Sequence, residues 1–103
     1  MTSPLPVVVA VAPNGSFKTK ADHPATPITP ADLARCAAEC LEAGAAMIHL
    51  HVRDRDGRHL LAPEAYREAI SAVEAAVGDQ LVIQITSEAA GRYEPAEQIA
   101  AVT

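Results

Sequence analysis

Three short apolar runs rich in β-branched residues most constrain how this chain can fold: residues 5–12, 47–52 and 81–86. None alternates apolar and polar residues as a strand with one wet face does. Near-continuous apolar strands belong in a parallel sheet covered on both faces. Each run is followed by a loop and then by a proline with an acidic residue close behind: Pro30 with Asp32, Pro63 with Glu64, Pro95 with Glu97. Proline suits the first helical turn, where its missing N–H loses no bond, and a carboxylate there meets the positive end of the helix dipole. Helices are therefore expected over 30–43 and 63–77 and from about 95 onward, with Thr29 as N-cap of the first.

The helical segments carry the right periodicity. Leu33, Cys36, Ala37, Cys40 and Leu41 form one apolar stripe, and Tyr66, Ala69, Ile70, Val73 and Val77 form another. Gly44 and Gly78 follow them where a C-terminal glycine is expected. The order β-α-β-α-β-α implies α/β architecture: parallel βα units with right-handed crossovers and all helices on one face. The other, apolar face must close into a barrel or meet another chain or domain. An eight-stranded (β/α)8 TIM barrel takes about 250 residues. The 103 residues are thus expected to be a single incomplete domain, 1–103, holding the first three units of such a barrel.

Composition agrees. Of the apolar residues 22 are alanine and only Phe17, Tyr66 and Tyr93 are aromatic, so large core-filling side chains are scarce. A chain of this size buries only about 60–65% of its unfolded surface, which suits part of something larger.

Charge and hydropathy remove other classes. The net charge of −5 and the two lysines, Lys18 and Lys20, leave no basic stripe for nucleic acid. No apolar run approaches the roughly 20 residues of a membrane span, and the amino terminus lacks the pattern of a signal peptide. A cytoplasmic protein is expected. Cys36 and Cys40 stand one helical turn apart and read as small core residues, not as a disulfide, metal or redox pair.

The chemistry concentrates at His49-Leu50-His51-Val52-Arg53-Asp54. Residues two apart on a strand share a face, with α-carbons roughly 6.6 Å apart, so both imidazoles point the same way at the carboxyl end of the second strand. That end is where barrel active sites sit. Two such rings can share a metal ion, and zinc, which accepts neutral imidazole, is the candidate; the alternative is a pair of hydrogen-bonded interior histidines. His23 and His59 are expected in loops, outside the ligand set.

Other candidates lie nearby. The long loop after the first strand contains Asn14-Gly15, a turn signal, and loops at that end often bind ligands. Thr86 and Ser87 follow the third strand, where their hydroxyls could hold a substrate carboxylate or simply cap the turn. Arg53 could hold an anion or pair with Asp54.

Three segments together resemble one family: Ala12-Pro13-Asn14-Gly15 with His23-Pro24-Ala25-Thr26-Pro27-Ile28-Thr29-Pro30; Ala43-Gly44-Ala45 leading to His49-Leu50-His51-Val52-Arg53-Asp54-Arg55-Asp56-Gly57; and Gln84-Ile85-Thr86-Ser87-Glu88. They resemble the β-keto acid cleavage enzymes, whose amino-terminal third or so this chain would cover. The resemblance implies a zinc-dependent TIM barrel that cleaves a β-keto acid with acetyl-CoA, yielding acetoacetate and a new CoA thioester, and a homo-oligomer when full length. It implies that His49 and His51 bind the metal and that Thr86 or Ser87 holds the substrate carboxylate. The third zinc ligand, a Glu, and the catalytic Arg and Asp are implied beyond this chain, so the isolated 103 residues are expected to be inactive. Two other readings stand beside it: a metal-dependent hydrolase of amidohydrolase type, and a non-catalytic remnant that associates through its bare sheet face.

Overall fold

The computed structural model describes residues 5–103, so residues 1–4 of the expected 1–103 domain lie outside the described residues. The chain runs through β1 (Ala10–Val11), α1 (Pro30–Glu42), β2 (Met47–Leu50), β3 (Val52–Arg53), β4 (His59–Leu60), α2 (Pro63–Val77), β5 (Val82–Ile85) and α3 (Pro95–Val102). Strands β1, β2 and β5 form one parallel sheet with β2 in the middle, pairing Ala10 with Met47 and His49 with Gln84. Parallel strands alternate with helices, and the fold is α/β.

Local chemistry accounts for the helix ends. Thr29 Oγ1 accepts the Asp32 N–H at 3.1 Å, and Asp32 Oδ2 accepts the N–H groups of Ile28 and Thr29 at 3.1 and 3.3 Å, a reciprocal capping box. These bonds, that of Ile28 first, hold the Asp32 carboxyl down at about 2. Helix α1 ends in a Schellman motif: Ala45 N–H returns to Cys40 O at 2.9 Å and Gly44 N–H to Leu41 O at 3.0 Å, with Gly44 at φ 110°. No side chain caps α2, which starts on Pro63 instead.

Packing is one-sided. Ile48 and Leu50 are fully buried against Leu33 and Ala37 of α1 and Tyr66, Ala69 and Val73 of α2. On the opposite face of the sheet Val82 and Gln84 are exposed. Cys36 and Cys40 lie half-buried on α1 as free thiols, Sγ to Sγ 3.9 Å, and burial raises the Cys36 thiol to about 11.

Two strands depart from the apolar runs. Of residues 5–12 only Ala10–Val11 enters the ladder, with Val9 O accepting from Ala46 N–H, while Leu5, Val7, Val8 and Val9 are exposed. The run 47–52 divides at His51. Beyond it Val52 and Arg53 pair antiparallel with Leu60 and His59 across a tight turn. Asp54 builds that turn, its Oδ1 accepting from the N–H of Asp56 and Arg58 at 2.9 and 3.0 Å, while Gly57 takes φ 81°. His59, expected in a loop, is therefore a buried strand residue. No helix among the described residues is long and apolar enough to cross a membrane.

Candidate functional site at the carboxyl end of the parallel strands

His49 on β2 and His51 just past its end have ring centroids 5.1 Å apart. Each ring is held by one nitrogen. His49 Nδ1–H donates to Gln84 Oε1 at 2.7 Å, the side chain opposite it in the β2–β5 register. His51 Nε2–H donates to Glu88 Oε2 at 3.0 Å. Amide and carboxylate oxygens only accept, so the second nitrogen of each neutral ring keeps its lone pair. For His51 that second nitrogen, Nδ1, is buried and has no partner.

The electrostatics keep His51 neutral. Burial lowers its pKa, against a smaller opposing pull from Glu88. Glu88 is itself held below the usual carboxylate range, first by the Ser16 hydroxyl, which donates to the same Oε2, and then by His51. At His51 the site thus offers an uncharged imidazole beside an ionised carboxylate, the state a divalent cation requires of its ligands. Two lone-pair nitrogens, each fixed by an outer hydrogen bond, fit a zinc centre. Among the described residues no group of three His, Cys, Asp or Glu side chains gathers to complete one.

A third histidine joins the cluster. His59 packs 5.5 Å from His51, centroid to centroid, and its Nε2–H donates to Glu88 O at 2.6 Å. Tyr93 stands edge-on to it at 6.0 Å, and Arg92 NH1 donates to His59 O at 2.7 Å.

The remaining candidates divide. Asn14 is buried, and its Nδ2 donates to His51 O at 2.9 Å and Pro27 O at 3.1 Å, fixing the end of β2 to the long loop. Arg53 lies under the same loop, its terminal nitrogens donating to the carbonyls of Asn14, Gly15, Lys18 and Gly57 at 2.6–3.1 Å. Both side chains are engaged by backbone, and Arg53 does not pair with Asp54, which bonds Arg92 at 3.3 Å. Thr86 is buried beside the cluster, its Oγ1 accepting the Glu88 N–H at 3.0 Å. Ser87 is exposed, and its carbonyl accepts from Gln98. His23 is exposed in the loop, where Nδ1 accepts the Ala25 N–H.

Glu88, Ser16, Gln84 and His59 are the site residues that sequence reasoning did not assign. For Glu88 a signal existed: Gln84, Thr86 and Glu88 continue the two-residue period of one strand face past the strand's end.

The beta-keto acid cleavage enzyme family matches residues 6–103. A 3-keto-5-aminohexanoate cleavage enzyme from Fusobacterium nucleatum is 34% identical over 96 residues, covering 88% of this chain and 35% of that protein. One from Acetoanaerobium sticklandii is 32% identical over 85 residues, 82% of this chain and 31% of its own length. A 3-oxoadipate:acetyl-CoA acetyltransferase from Cupriavidus necator is 34% identical over 68 residues, 66% of this chain and 24% of its own. The chain spans about a third or less of the length of these relatives.

Proposed function

Because the chain belongs to the β-keto acid cleavage enzyme family, we propose that it is the amino-terminal part of a zinc-dependent enzyme that cleaves a β-keto acid with acetyl-CoA. The products are acetoacetate and a new CoA thioester. The bond between the keto carbon and the α-carbon breaks, the carboxylate-bearing fragment takes the acetyl group, and CoA takes the acyl group. In this reading the three parallel strands open an eight-stranded barrel whose later units cover the exposed face around Val82 and supply the third zinc ligand and the acid–base groups.

The observation that carries the proposal is the His49–His51 pair, two imidazole rings 5.1 Å apart at the end of β2. When bound there, zinc polarises the keto oxygen as a Lewis acid. The chain's own residues prepare that chemistry. Gln84 and Glu88 fix the tautomers of His49 and His51. Asn14 and Arg53 hold the long loop against the end of β2 and so position the site. The Thr86 hydroxyl, whose oxygen already accepts the Glu88 N–H, keeps its proton free to donate to the substrate carboxylate, and the exposed Ser87 hydroxyl is the second donor. Fixing that carboxylate orients the keto carbon for reaction.

The test is zinc content and acetoacetate formation from acetyl-CoA and a panel of β-keto acids, using the complete protein that carries this chain. His49→Ala and His51→Ala each remove zinc and activity together. Unchanged metal and turnover in both variants overturns the proposal, and hydrolysis without acetyl-CoA points to the amidohydrolase chemistry instead. The 103 residues alone are inactive in this reading, because they hold two of the metal's protein ligands.

A further inference from the structure

We infer that His59 is a positioning residue of the candidate site: it fixes the segment past β5 that carries the Thr86 and Ser87 hydroxyls. The inference rests on the β-keto acid reading above, in which those hydroxyls hold the substrate carboxylate. Strand β5 ends at Ile85, so the sheet ladder places neither hydroxyl. Between Ile85 and α3 the chain turns at Ala90 and Gly91, both at positive φ, 52° and 72°. His59 holds this segment on both sides of the turn. Before it, the ring Nε2–H donates to Glu88 O at 2.6 Å. After it, the His59 carbonyl accepts from the Arg92 guanidinium at 2.7 Å, while the Tyr93 ring stands edge-on to the imidazole at 6.0 Å.

Burial sets the weight of each anchor. Ser87 O is also held, by Gln98 Nε2–H at 2.7 Å, but that bond is open to competing water. His59 is 4% exposed, and its own place is set by pairing with Arg53 across β3 and β4. A hydrogen bond shielded from water is electrostatically stronger and holds its geometry more firmly. A carbonyl only accepts, so Nε2 carries the ring proton and Nδ1 keeps a lone pair. That Nδ1 is buried and has no partner among the described residues. A buried polar atom left unpaired opposes folding, and an apolar side chain would fill the same space without that cost. What the imidazole supplies, and an apolar residue cannot, is the Nε2–H at Glu88. Its effect reaches substrate through one residue: Glu88, whose carbonyl His59 holds, donates its own N–H to Thr86 Oγ1 at 3.0 Å and so orients the Thr86 hydroxyl.

The experiment makes His59→Gln, His59→Asn and His59→Leu in the complete protein and measures steady-state kinetics at saturating zinc. The amide nitrogen in His59→Gln reaches as far as Nε2 does, that in His59→Asn stops near the place of Nδ1, and His59→Leu has no donor. His59→Asn and His59→Leu raise KM for the best β-keto acid by about tenfold or more and leave KM for acetyl-CoA as in wild type, while His59→Gln retains most of kcat/KM. An equal rise in both KM values overturns the inference, as does a His59→Gln variant as impaired as His59→Asn. Loss of fold in both His59→Asn and His59→Leu, read by circular dichroism, also overturns it, since His59 then serves stability alone. A separate arm titrates 3-hydroxybutyrate, which has the carboxylate but no keto group to cleave, by calorimetry. Binding weakened by about tenfold in His59→Asn or His59→Leu and largely kept in His59→Gln supports the role even where no acid is turned over, an outcome that counts against the proposed reaction alone. Binding that is absent in wild type, or equal in wild type and all three variants, overturns the role whatever the turnover.

Discussion

Glu88 Oε2 receives the His51 Nε2–H at 3.0 Å across 37 residues, and the same oxygen takes the Ser16 hydroxyl. One carboxylate oxygen thus joins the end of β2 to the long loop and sets which His51 nitrogen keeps its lone pair. With His51 as a zinc ligand, as proposed, Glu88→Gln in the complete protein is expected to lower zinc affinity by about 10–100-fold, the usual loss when a ligand's outer partner is changed. Competition against a chromophoric chelator measures it, with Glu88→Asp recovering part of the loss. An affinity equal to wild type would remove Glu88 from this role.

Much of the framework was legible because the signals are local. The prolines at 30, 63 and 95, the stripe from Leu33 to Leu41 and the placement of Gly44 each act within a few residues, and the helices begin and end accordingly. That the His49 and His51 rings lie close together was legible for the same reason, since a period of two is a property of one strand. What sequence did not assign is set by long-range contact. His59 is buried only because Asp54 and Gly57 turn the chain back on β3, and Arg53 reaches the loop carbonyls only when residues up to 39 positions apart meet. The extent of β1 was overread because apolar composition marks a strand but not how far it finds a partner.

Arg53 separates two roles by experiment. Its bonds to four backbone carbonyls predict that Arg53→Met destabilises the protein by about 2–4 kcal/mol, because those acceptors lose a buried charged donor. Urea denaturation gives the change, and amide exchange at Gly15, Ser16 and Lys18 speeds up in parallel. A variant of wild-type stability with only a raised KM would instead assign Arg53 to the substrate.

Asp32 carries a predictable acid dependence. Its folded pKa of about 2 lies below the ordinary 3.8, so its stabilising contribution is present above pH 3.8 and is lost as pH falls toward 2. Asp32→Asn is expected to cost about 1 kcal/mol at neutral pH through the lost capping box, and to flatten the decline of stability between about pH 4 and 2. Thermal melts across that range read both effects. A slope identical to wild type counts against the box.

Tyr66 makes the opposite prediction at the other end of the scale. Burial raises its phenol to about 12 from 10, so the neutral form's contribution is full below pH 10 and is lost as pH rises toward 12. Its hydroxyl makes no well-aligned hydrogen bond among the described residues, the Thr86 and Val52 backbone being near enough only to oppose the rise, so Tyr66→Phe is expected to change stability by less than about 1 kcal/mol at pH 7 and to blunt the alkaline decline. Tyr66→Ala, which empties a fully packed position, costs about 3–5 kcal/mol. Urea midpoints at pH 7 and Tm values from pH 9 to 11 check the pair.

The anchoring of the long loop also has an order in time. The loop leaves the ribosome early, yet Arg53 and the turn ending at Gly57 must be made before its carbonyls have a donor, and Ser16 waits a further 72 residues for Glu88. During synthesis the first-made wall of the site is the last to set. A pause in translation before Gly57 would leave helix α1 able to form while the loop before it lacks its Arg53 donor, whereas the Ser16 bond alone waits for Glu88.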